Sequence, residues 1–327
     1  MRFAFAFMCI ALATPARAAP GPALTIDSHA FQLGGRPVFL IGVSLFDALA
    51  AVPPRDQDLD ALNTWGVNLV RVWAHWHDPI YRPDGTLSPA GRTRLLDLAK
   101  RLESRGLILE LVLLRPGQLP GQPFAVFSSE AARVSAVESM TSALRDFRAV
   151  LFDLFNEHDH PDGPISHRAA RVLRDRVKAI DPGRLVTISS TEHHLVSATG
   201  EVGEAGAQNL REEVGVDRDA VGVDLVAVHL PRTLDWAAAT SGRVRALRAL
   251  LDRASRPVPI YLNEERRSER GQSLAADAYE RAVTEARAGG AAGWVFHTAA
   301  GFELAKKPFL DALSPDERAG LGRLKTR

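Results

Sequence analysis

Short apolar runs alternate along the chain with longer stretches in which apolar residues keep a helical spacing. The apolar runs are rich in β-branched and aromatic residues, which predicts β-strands. They are Val38–Ser44, Val67–Trp73, Leu107–Leu114, Ala149–Asn156, Arg184–Ser190, Gly222–His229, Val258–Glu264 and Ala292–His297. Their starts lie 29 to 42 residues apart, which leaves room for one helix and two loops between successive strands. Runs that are apolar throughout suit strands buried on both faces, as in a parallel sheet.

The intervening stretches predict amphipathic helices. Leu95, Leu98, Ala99 and Leu102 fall at positions i, i+3, i+4 and i+7, which places them on one helix face. A later helical stretch meets the breaker cluster 181–183, Asp-Pro-Gly, and another ends before a Gly-Gly pair at 289–290. The alternation of strand and helix is typical of an α/β protein with a parallel sheet.

Eight βα units without a break in composition favour a closed (β/α)8 TIM barrel, built as one domain over residues 20–327. The alternative is an open doubly wound sheet. Such a sheet would usually carry a glycine-rich phosphate loop after its first strand, and Gly42–Phe46 does not have that pattern. Ahead of the first strand, two apolar segments flank Gly34 and Gly35, which predicts a β-hairpin that caps the floor of the barrel.

Residues 1–19 have the layout of a secretory signal peptide. Arg2 precedes the apolar run Phe3–Ala13, and small residues follow up to Ala19. We therefore expect a secreted or periplasmic protein. A membrane anchor is the alternative, but the run is well short of the ~20 residues that a spanning helix needs. The only cysteine, Cys9, lies in this segment, so the processed chain would hold no disulfide and no Cys-ligated metal.

The charge balance excludes a nucleic-acid binder. The whole chain has 40 basic and 39 acidic residues. Removal of the signal peptide takes away Arg2 and Arg17, which leaves 38 basic and 39 acidic residues. A basic footprint of the kind that binds nucleic acid is therefore not expected.

Two predicted strands end in carboxylates. The fourth ends with Asn156 and Glu157, and the seventh ends with Asn263, Glu264 and Glu265. A (β/α)8 barrel builds its active site at the carboxyl ends of its strands. The two strand ends would face each other across the barrel mouth. Hydrolysis of a glycoside needs such a pair, one carboxyl group to protonate the leaving oxygen and one to attack the sugar or activate water.

The same residues carry a resemblance to a known family. Four segments carry it: the entry segment Phe31–Val43, the second strand Asn68–Val72, the Asn156-Glu157 pair, and the strand that begins at Pro259 and ends in Glu264. With them the chain resembles the clan of retaining glycoside hydrolases with (β/α)8 barrels, and most of all the cellulase-type glycoside hydrolase family 5.

The resemblance implies a retaining O-glycoside hydrolase that acts on a polysaccharide or oligosaccharide without a cofactor or metal. Glu157 would be the acid/base and Glu264 the nucleophile. Around them it implies a set of supporting and sugar-binding side chains: Arg71 at the nucleophile, Asn156 at the sugar 2-hydroxyl, His229 in the site, and Trp294 under the sugar.

The chain departs from the family pattern after three strands. Leu113-Leu114-Arg115 stands where the family usually has a His near the end of the third strand. The sixth strand continues from His229 to Arg232 without the family's Tyr. Glu265 and Arg266 follow Glu264, where the family prefers an aromatic residue and Gly.

Further candidates follow the strands. Trp76 and Trp236 offer flat indole faces that suit sugar stacking in the cleft. Asp47, after the first strand, either bonds a sugar hydroxyl or caps a helix.

Two other functions fit parts of the pattern. A metal-dependent amidohydrolase-like barrel would use His75, His77 and His229 with His193 or His194. However, the His-x-His pair follows the second strand rather than the first, and no Asp ends the eighth strand. A non-catalytic carbohydrate-binding barrel is the remaining alternative, and its sign would be the loss of one of the two glutamates.

Overall fold

The fold is described by a computed structural model. It covers residues 21–77, 80–115, 127, 129–161, 163–192, 194–197, 199–215, 220–268 and 273–324. The predicted signal peptide, residues 1–19, lies outside the described residues, so it stays a prediction. Among the residues described, no helix has both the length and the apolar character to cross a membrane.

All eight predicted strands are present and form a parallel barrel. In chain order the barrel segments are β4 (Leu40–Ser44), β5 (Leu69–Trp73), β6 (Ile108–Leu114), β7 (Val150–Phe155), β8 (Leu185–Thr187), β9 (Ser189–Ser190), β10 (Val226–Val228), β11 (Ile260–Leu262) and β12 (Gly293–Phe296). The segments β8 and β9 are two parts of the fifth strand, interrupted at Ile188. Because β8 pairs with β7 and β9 pairs with β10, the fifth strand closes the barrel. The expected (β/α)8 architecture is confirmed.

Helices cover the outside of the barrel, as the spacing of apolar residues predicts. They are α1 (Asp56–Thr64), α2 (Pro89–Glu103), α3 (Glu130–Leu144), α4 (His167–Ile180), α5 (Glu204–Val214), α6 (Trp236–Arg253), α7 (Ala276–Gly289), α8 (Phe309–Ala312) and α9 (Pro315–Leu324). In α2 the four predicted apolar positions are buried. Helix α7 is capped at its C-terminus by Gly290, whose φ of 88° lies in the left-handed region that glycine adopts readily.

The floor of the barrel is closed by a three-stranded antiparallel sheet rather than by a single hairpin. It consists of β1 (Leu24–Asp27), β2 (Ala30–Leu33) and β3 (Arg36–Val38). The predicted turn at Gly34-Gly35 joins β2 to β3, and both glycines have positive φ. Phe31 of β2 is fully buried, and its ring meets that of Tyr261 edge-on at 6.0 Å inside the barrel.

Side chains in the barrel interior change from apolar at the floor to polar at the mouth. Leu69, Ile108 and Leu151 belong to the apolar cluster at the floor. Two residues further along each strand, the interior positions hold Arg71, Glu110 and Asp153, all fully buried. Successive strand residues face opposite sides, so these three point into the barrel like the residues two before them. The polar interior therefore begins halfway up the barrel.

Candidate active site

The buried guanidinium of Arg71 lies at the centre of the polar interior. Its Nε donates to Glu110 Oε1 at 3.0 Å, and its Nη2 donates to Asp153 Oδ2 at 2.9 Å and to Asn156 Oδ1 at 2.8 Å. Its Nη1 donates to Glu264 Oε2 at 3.1 Å. Burial lowers the pKa of Arg71, but the three carboxylates outweigh it and raise the pKa above its usual value, so the side chain stays charged. One cation thus holds four site side chains in place.

Glu110 and Asp153 complete this network, and sequence reasoning missed both. The hydroxyl of Tyr261 donates to Glu110 Oε2 at 2.6 Å. Ser189 donates to Asp153 from its hydroxyl at 2.7 Å and from its backbone N–H at 3.0 Å. Burial raises the pKa of Glu110 to about 6, whereas Arg71 favours its ionised form. The available signal was a single acidic residue inside an otherwise apolar strand, which is costly to bury unless it is paired.

Glu264 is 7% exposed and is held from both sides by guanidinium groups. Arg71 binds its Oε2, and Nη2 of Arg232 donates to its Oε1 at 3.0 Å. Burial raises the pKa of Glu264, but the guanidinium groups of Arg232 and Arg71 outweigh it, so this pKa lies well below its usual value. Glu264 is therefore a carboxylate at neutral pH.

Glu157 lies across the mouth from Glu264 and has an unusual backbone. Its φ of 57° is in the left-handed region, which non-glycine residues rarely adopt. Its side chain is 24% exposed, and its Oε1 lies 3.2 Å from Nδ1 of His229. An oxygen of Glu157, an oxygen of Glu264 and a ring nitrogen of His229 all lie within 4.8 Å of one another. A strained residue beside a second carboxylate is the kind of feature that concentrates at functional sites.

Arg232 occupies the region where the resemblance leads one to expect a Tyr. In addition to Glu264, its guanidinium meets Glu192, with Nε at 3.2 Å from Oε1. Its backbone N–H donates to the other oxygen of Glu192 at 2.9 Å. The three groups form a carboxylate–guanidinium–carboxylate chain at the rim, which sequence reasoning did not predict.

His297 also reaches the site from the eighth strand. Its Nε2 lies 3.6 Å from Glu264 Oε1 and 2.7 Å from Nη1 of Arg267. Its Nδ1 lies 3.4 Å from the hydroxyl of Ser44. Burial and the neighbouring guanidinium groups lower the pKa of His297 well below its usual value, so the ring is neutral and accepts from Arg267.

Aromatic side chains form one wall of the mouth. Phe46 stacks on Trp73 with 3.6 Å between ring centroids, and Trp76 and Phe302 pack against Phe46 at 4.6 and 4.4 Å. Trp76 is half-buried, and its indole N–H donates to the carbonyl of Phe302 at 2.8 Å. Its partial exposure leaves the expected role in sugar stacking open as a proposal.

Asp47 lies next to this wall. It is almost fully buried and lies 3.3 Å from Nδ1 of His77. The two residues line a cavity of about 360 Å³ together with Glu303 and Lys306. Asp47 is thus placed beside a cavity at the mouth.

Two predicted sugar-binding tryptophans are placed elsewhere, and both expectations are wrong. Trp294 is fully buried and faces the helix layer, 6.2 Å from Phe296, because inward positions on β12 belong to its neighbours Gly293 and Val295. Trp236 begins α6, is 4% exposed and packs on Tyr279 at 6.5 Å. Both indoles belong to the core between barrel and helices.

The histidines of the metallohydrolase alternative do not converge. His75 is buried, and desolvation lowers its pKa to about 3. His77 is exposed beside Asp47, and His229 contacts Glu157. Residue 193 lies outside the described residues, and His194 belongs to a separate cluster. Neither His75 nor His77 is part of a group of possible metal ligands within the described chain.

Comparisons with solved structures place the fold among glycoside hydrolases. The chain matches no protein-family model and no curated protein sequence. An exo-β-1,4-mannosidase from an Opitutaceae bacterium is similar, with a TM-score of 0.66 and 20% identity over 92% of this chain. A glycoside hydrolase family 5 protein from Bacteroides vulgatus has a TM-score of 0.68 at 13% identity over 93% of the chain. An endo-1,4-β-mannanase from Eisenia fetida has a TM-score of 0.63 at 16% identity over 94%.

These neighbours differ in length from the chain. The matched region spans 61% of the exo-mannosidase, 70% of the Bacteroides vulgatus protein and 96% of the Eisenia fetida mannanase. The likeness confirms the expected resemblance at the level of the fold, that of the (β/α)8 glycoside hydrolases.

Proposed function

We propose that the protein is a retaining O-glycoside hydrolase in which Glu157 and Glu264 carry the chemistry. The observation that supports this most is the position of the two carboxylates, which meet at the carboxyl ends of the fourth and seventh barrel strands with oxygens less than 4.8 Å apart. Retaining enzymes hold their carboxyl groups about 5–5.5 Å apart, whereas inverting enzymes leave ~6.5–9.5 Å for a water molecule. The short gap favours the retaining route.

Glu264 is suited to be the nucleophile. Its low pKa keeps it ionised, and hydrogen bonds from two guanidinium groups fix its position. One of its oxygens attacks the anomeric carbon, and the bond from that carbon to the glycosidic oxygen breaks. A covalent glycosyl-enzyme forms.

Glu157 is suited to move the proton. It is more exposed than Glu264, and its Oε1 faces the imidazole of His229. In the first step Glu157 protonates the leaving oxygen. In the second step its carboxylate takes a proton from the water that attacks the anomeric carbon, which frees the sugar and Glu264. His229 contacts both glutamates and orients Glu157 between the two steps.

A divalent cation does not suit the space between the two glutamates. Both oxygens of Glu264 already accept hydrogen bonds from Arg71 and Arg232, and Nδ1 of His229 is engaged by Glu157. Two guanidinium charges next to the same carboxylate repel a further cation. The carboxylate pair on its own accounts for a glycosyl transfer.

The substrate is proposed to be a β-linked glycan. The structural neighbours include an exo-β-1,4-mannosidase and β-mannanases, two of them endo-1,4-β-mannanases, so β-1,4-linked mannan and its oligosaccharides are the first candidates. The half-buried Trp76 and the cavity beside Asp47 offer an aromatic ring and a wall of mixed apolar and charged side chains for sugar units.

The test is a panel of β-linked glycans, whose leaving groups need protonation, with purified wild-type protein and the variants Glu157→Gln and Glu264→Gln. The wild type should release reducing sugar, and each variant should lose at least about 1,000-fold in kcat/KM because one of the two catalytic carboxyl groups is gone. Glu130→Gln changes an exposed carboxylate at the start of α3 and should leave turnover unchanged. Activity that survives in either site variant would refute the assignment.

A further inference from the structure

A second polar cluster lies outside the carboxylate pair, between the loops that follow the fourth and fifth barrel strands. It consists of His158, His167, His194 and Glu213. His158 comes directly after Glu157, His167 is the first residue of α4, and Glu213 belongs to α5. These residues have no role in the glycosyl transfer proposed above.

The four side chains converge on one point. One ligand atom from each lies within 4.8 Å of the others. Glu213 Oε1 is 3.6 Å from Nε2 of His158 and 3.5 Å from Nε2 of His194. His158 and Glu213 are almost completely buried, and the side chains of His167 and His194 are 15% and 12% exposed. The cluster is therefore largely shielded from water.

The atoms that converge have no hydrogen-bond partner. The Nε2 atoms of all three histidines and both carboxylate oxygens of Glu213 are buried and unpaired. A buried polar atom without a partner destabilises the folded state, and an unpaired buried carboxylate destabilises it more. Four residues whose ligand atoms lie this close together, with five buried atoms unpaired among them, indicate a group that the cluster binds.

The outward-facing nitrogens, in contrast, are all engaged. Nδ1 of His167 lies 2.7 Å from Glu212 Oε2, and Nδ1 of His194 lies 2.9 Å from Asp159 Oδ2. Nδ1 of His158 faces the carbonyl of Ile165 at 3.4 Å. A carboxylate or carbonyl at Nδ1 holds the proton there and leaves the Nε2 lone pair free. This is the arrangement around histidines that ligate metals.

Contacts among the four side chains do not account for the cluster. At 3.5 and 3.6 Å, Glu213 Oε1 makes no hydrogen bond to Nε2 of His194 or of His158. A proton on Nε2 of His194 would reach one oxygen of Glu213 and leave Nε2 of His158 and of His167 unpaired.

We propose that His158, His167, His194 and Glu213 form a structural zinc site. Three imidazole nitrogens and one carboxylate oxygen are ligands that Zn²⁺ prefers, at about 2.0–2.2 Å in tetrahedral geometry. Ligand atoms at the corners of such a tetrahedron lie about 3.3–3.6 Å apart. The two His–Glu213 distances of 3.5 and 3.6 Å are of this size. Four protein ligands fill the tetrahedron, so the site is closed and has no open position for a substrate.

A bound zinc ion would hold together the loops around Glu157, the proposed acid/base. His158 follows the left-handed Glu157, and the His158 N–H donates to the carbonyl of Ser189 at 2.9 Å. Its own carbonyl accepts from the Ile165 N–H at 2.7 Å. An ion that joins His158 to His194 and Glu213 ties the end of the fourth strand to the fifth loop and to α5. It holds in place the backbone that orients Glu157.

The first experiment measures metal content in the full chain, purified without chelator and without an affinity tag that binds metal. Elemental analysis should find about one equivalent of zinc. The content should fall at least tenfold in His167→Ala and in Glu213→Gln. It should remain in His29→Ala, which changes an exposed histidine on the floor sheet, and in Glu264→Gln. The last variant tests whether zinc is bound instead at the neighbouring cluster of Glu157, His229 and Glu264.

The second experiment does not depend on how well the variants fold. Exhaustive chelation of the wild type should lower its Tm by about 5 °C or more, and added zinc should restore it. Cobalt(II) in place of zinc should give the intense visible absorption of a tetrahedral site. Two results would overturn the proposal: wild-type protein below about 0.1 equivalent of metal whose Tm does not respond to zinc, or zinc that stays in Glu213→Gln and leaves in Glu264→Gln. Neither readout depends on whether the protein hydrolyses a glycoside.

Discussion

Arg232 Nη2 donates to Oε1 of Glu264 at 3.0 Å, so the segment after β10 is joined to the end of β11 at the barrel mouth. The guanidinium stabilises the ionised carboxylate of Glu264, which is the form that the proposed nucleophile needs. It is also a positive charge in direct contact with the proposed nucleophile. Glu192 offsets that charge from the other side of Arg232.

Removal of Arg232 should move the pH profile. In Arg232→Gln the pKa of Glu264 rises, because one of the cations that lower it is gone. The acidic limb of the kcat/KM profile should therefore shift to higher pH by about one unit. Arg266→Gln is the control, since that guanidinium donates to the carbonyl of Thr233. An acidic limb at the same pH in the wild type and Arg232→Gln would show that this guanidinium does not tune the nucleophile.

Arg71 should be essential for stability as well as for the site. Arg71→Met leaves Glu110, Asp153 and Glu264 buried without their shared cation, and the expected loss in the free energy of unfolding is at least 3–5 kcal/mol. Arg176→Met changes an exposed arginine that lies 3.6 Å from Glu138 and should cost less than about 0.5 kcal/mol. Urea denaturation of both variants gives the comparison. Equal losses in the two would argue against the central role of Arg71.

Burial of Glu265 should make the stability of the fold depend on pH. It is 2% exposed, its Oε1 has no hydrogen-bond partner, and burial raises its pKa from 4.5 to about 7. Between these two pH values the unfolded chain has lost the proton while the folded chain keeps it. The contribution of Glu265 to stability therefore falls as pH rises through this window and stays low above pH ~7.

The variant Glu265→Gln isolates this contribution. Its free energy of unfolding relative to the wild type should improve by about 3 kcal/mol between pH ~4.5 and pH ~8, because the amide cannot ionise. Denaturation at a series of pH values measures the difference. A difference between variant and wild type that is independent of pH would mean that Glu265 is not buried as a neutral acid.

The elements of the barrel were predictable because each strand is a continuous apolar run between polar loops. The same contrast identified Asn156, Glu157 and Glu264, which stand where an apolar run stops. The floor sheet was predicted only in part. Gly34-Gly35 marks one turn clearly. The other turn lies at Ser28, which has a positive φ of 54° although it is not a glycine, so nothing in the sequence marks it.

The missed site residues have a common physical reason. Alternate residues of a strand face into the barrel, so an error of one residue in the assignment moves every side chain to the opposite face. Trp294 was placed on the wrong face of β12, while His297, two residues after the inward Val295, reaches the mouth. The histidine cluster gave no local signal either, since His158, His167, His194 and Glu213 are brought together from two loops and two helices.

The last prediction separates the roles of the two glutamates. An activated fluoro-sugar has a leaving group that departs without protonation, so Glu157→Ala should still form the glycosyl-enzyme on Glu264. That intermediate should accumulate, because no carboxylate is left to activate water. Azide needs no base, so it should restore turnover and give a glycosyl azide of retained configuration.

Glu264→Ala should show neither the covalent adduct nor this azide product, because the nucleophile is absent. Intact mass spectrometry detects the adduct, and peptide mapping locates it. Since Glu265 follows Glu264 directly, the map must resolve the two residues. A label on Glu265, or equal loss of the adduct in both alanine variants, would mean that the nucleophile and the acid/base have been assigned to the wrong residues.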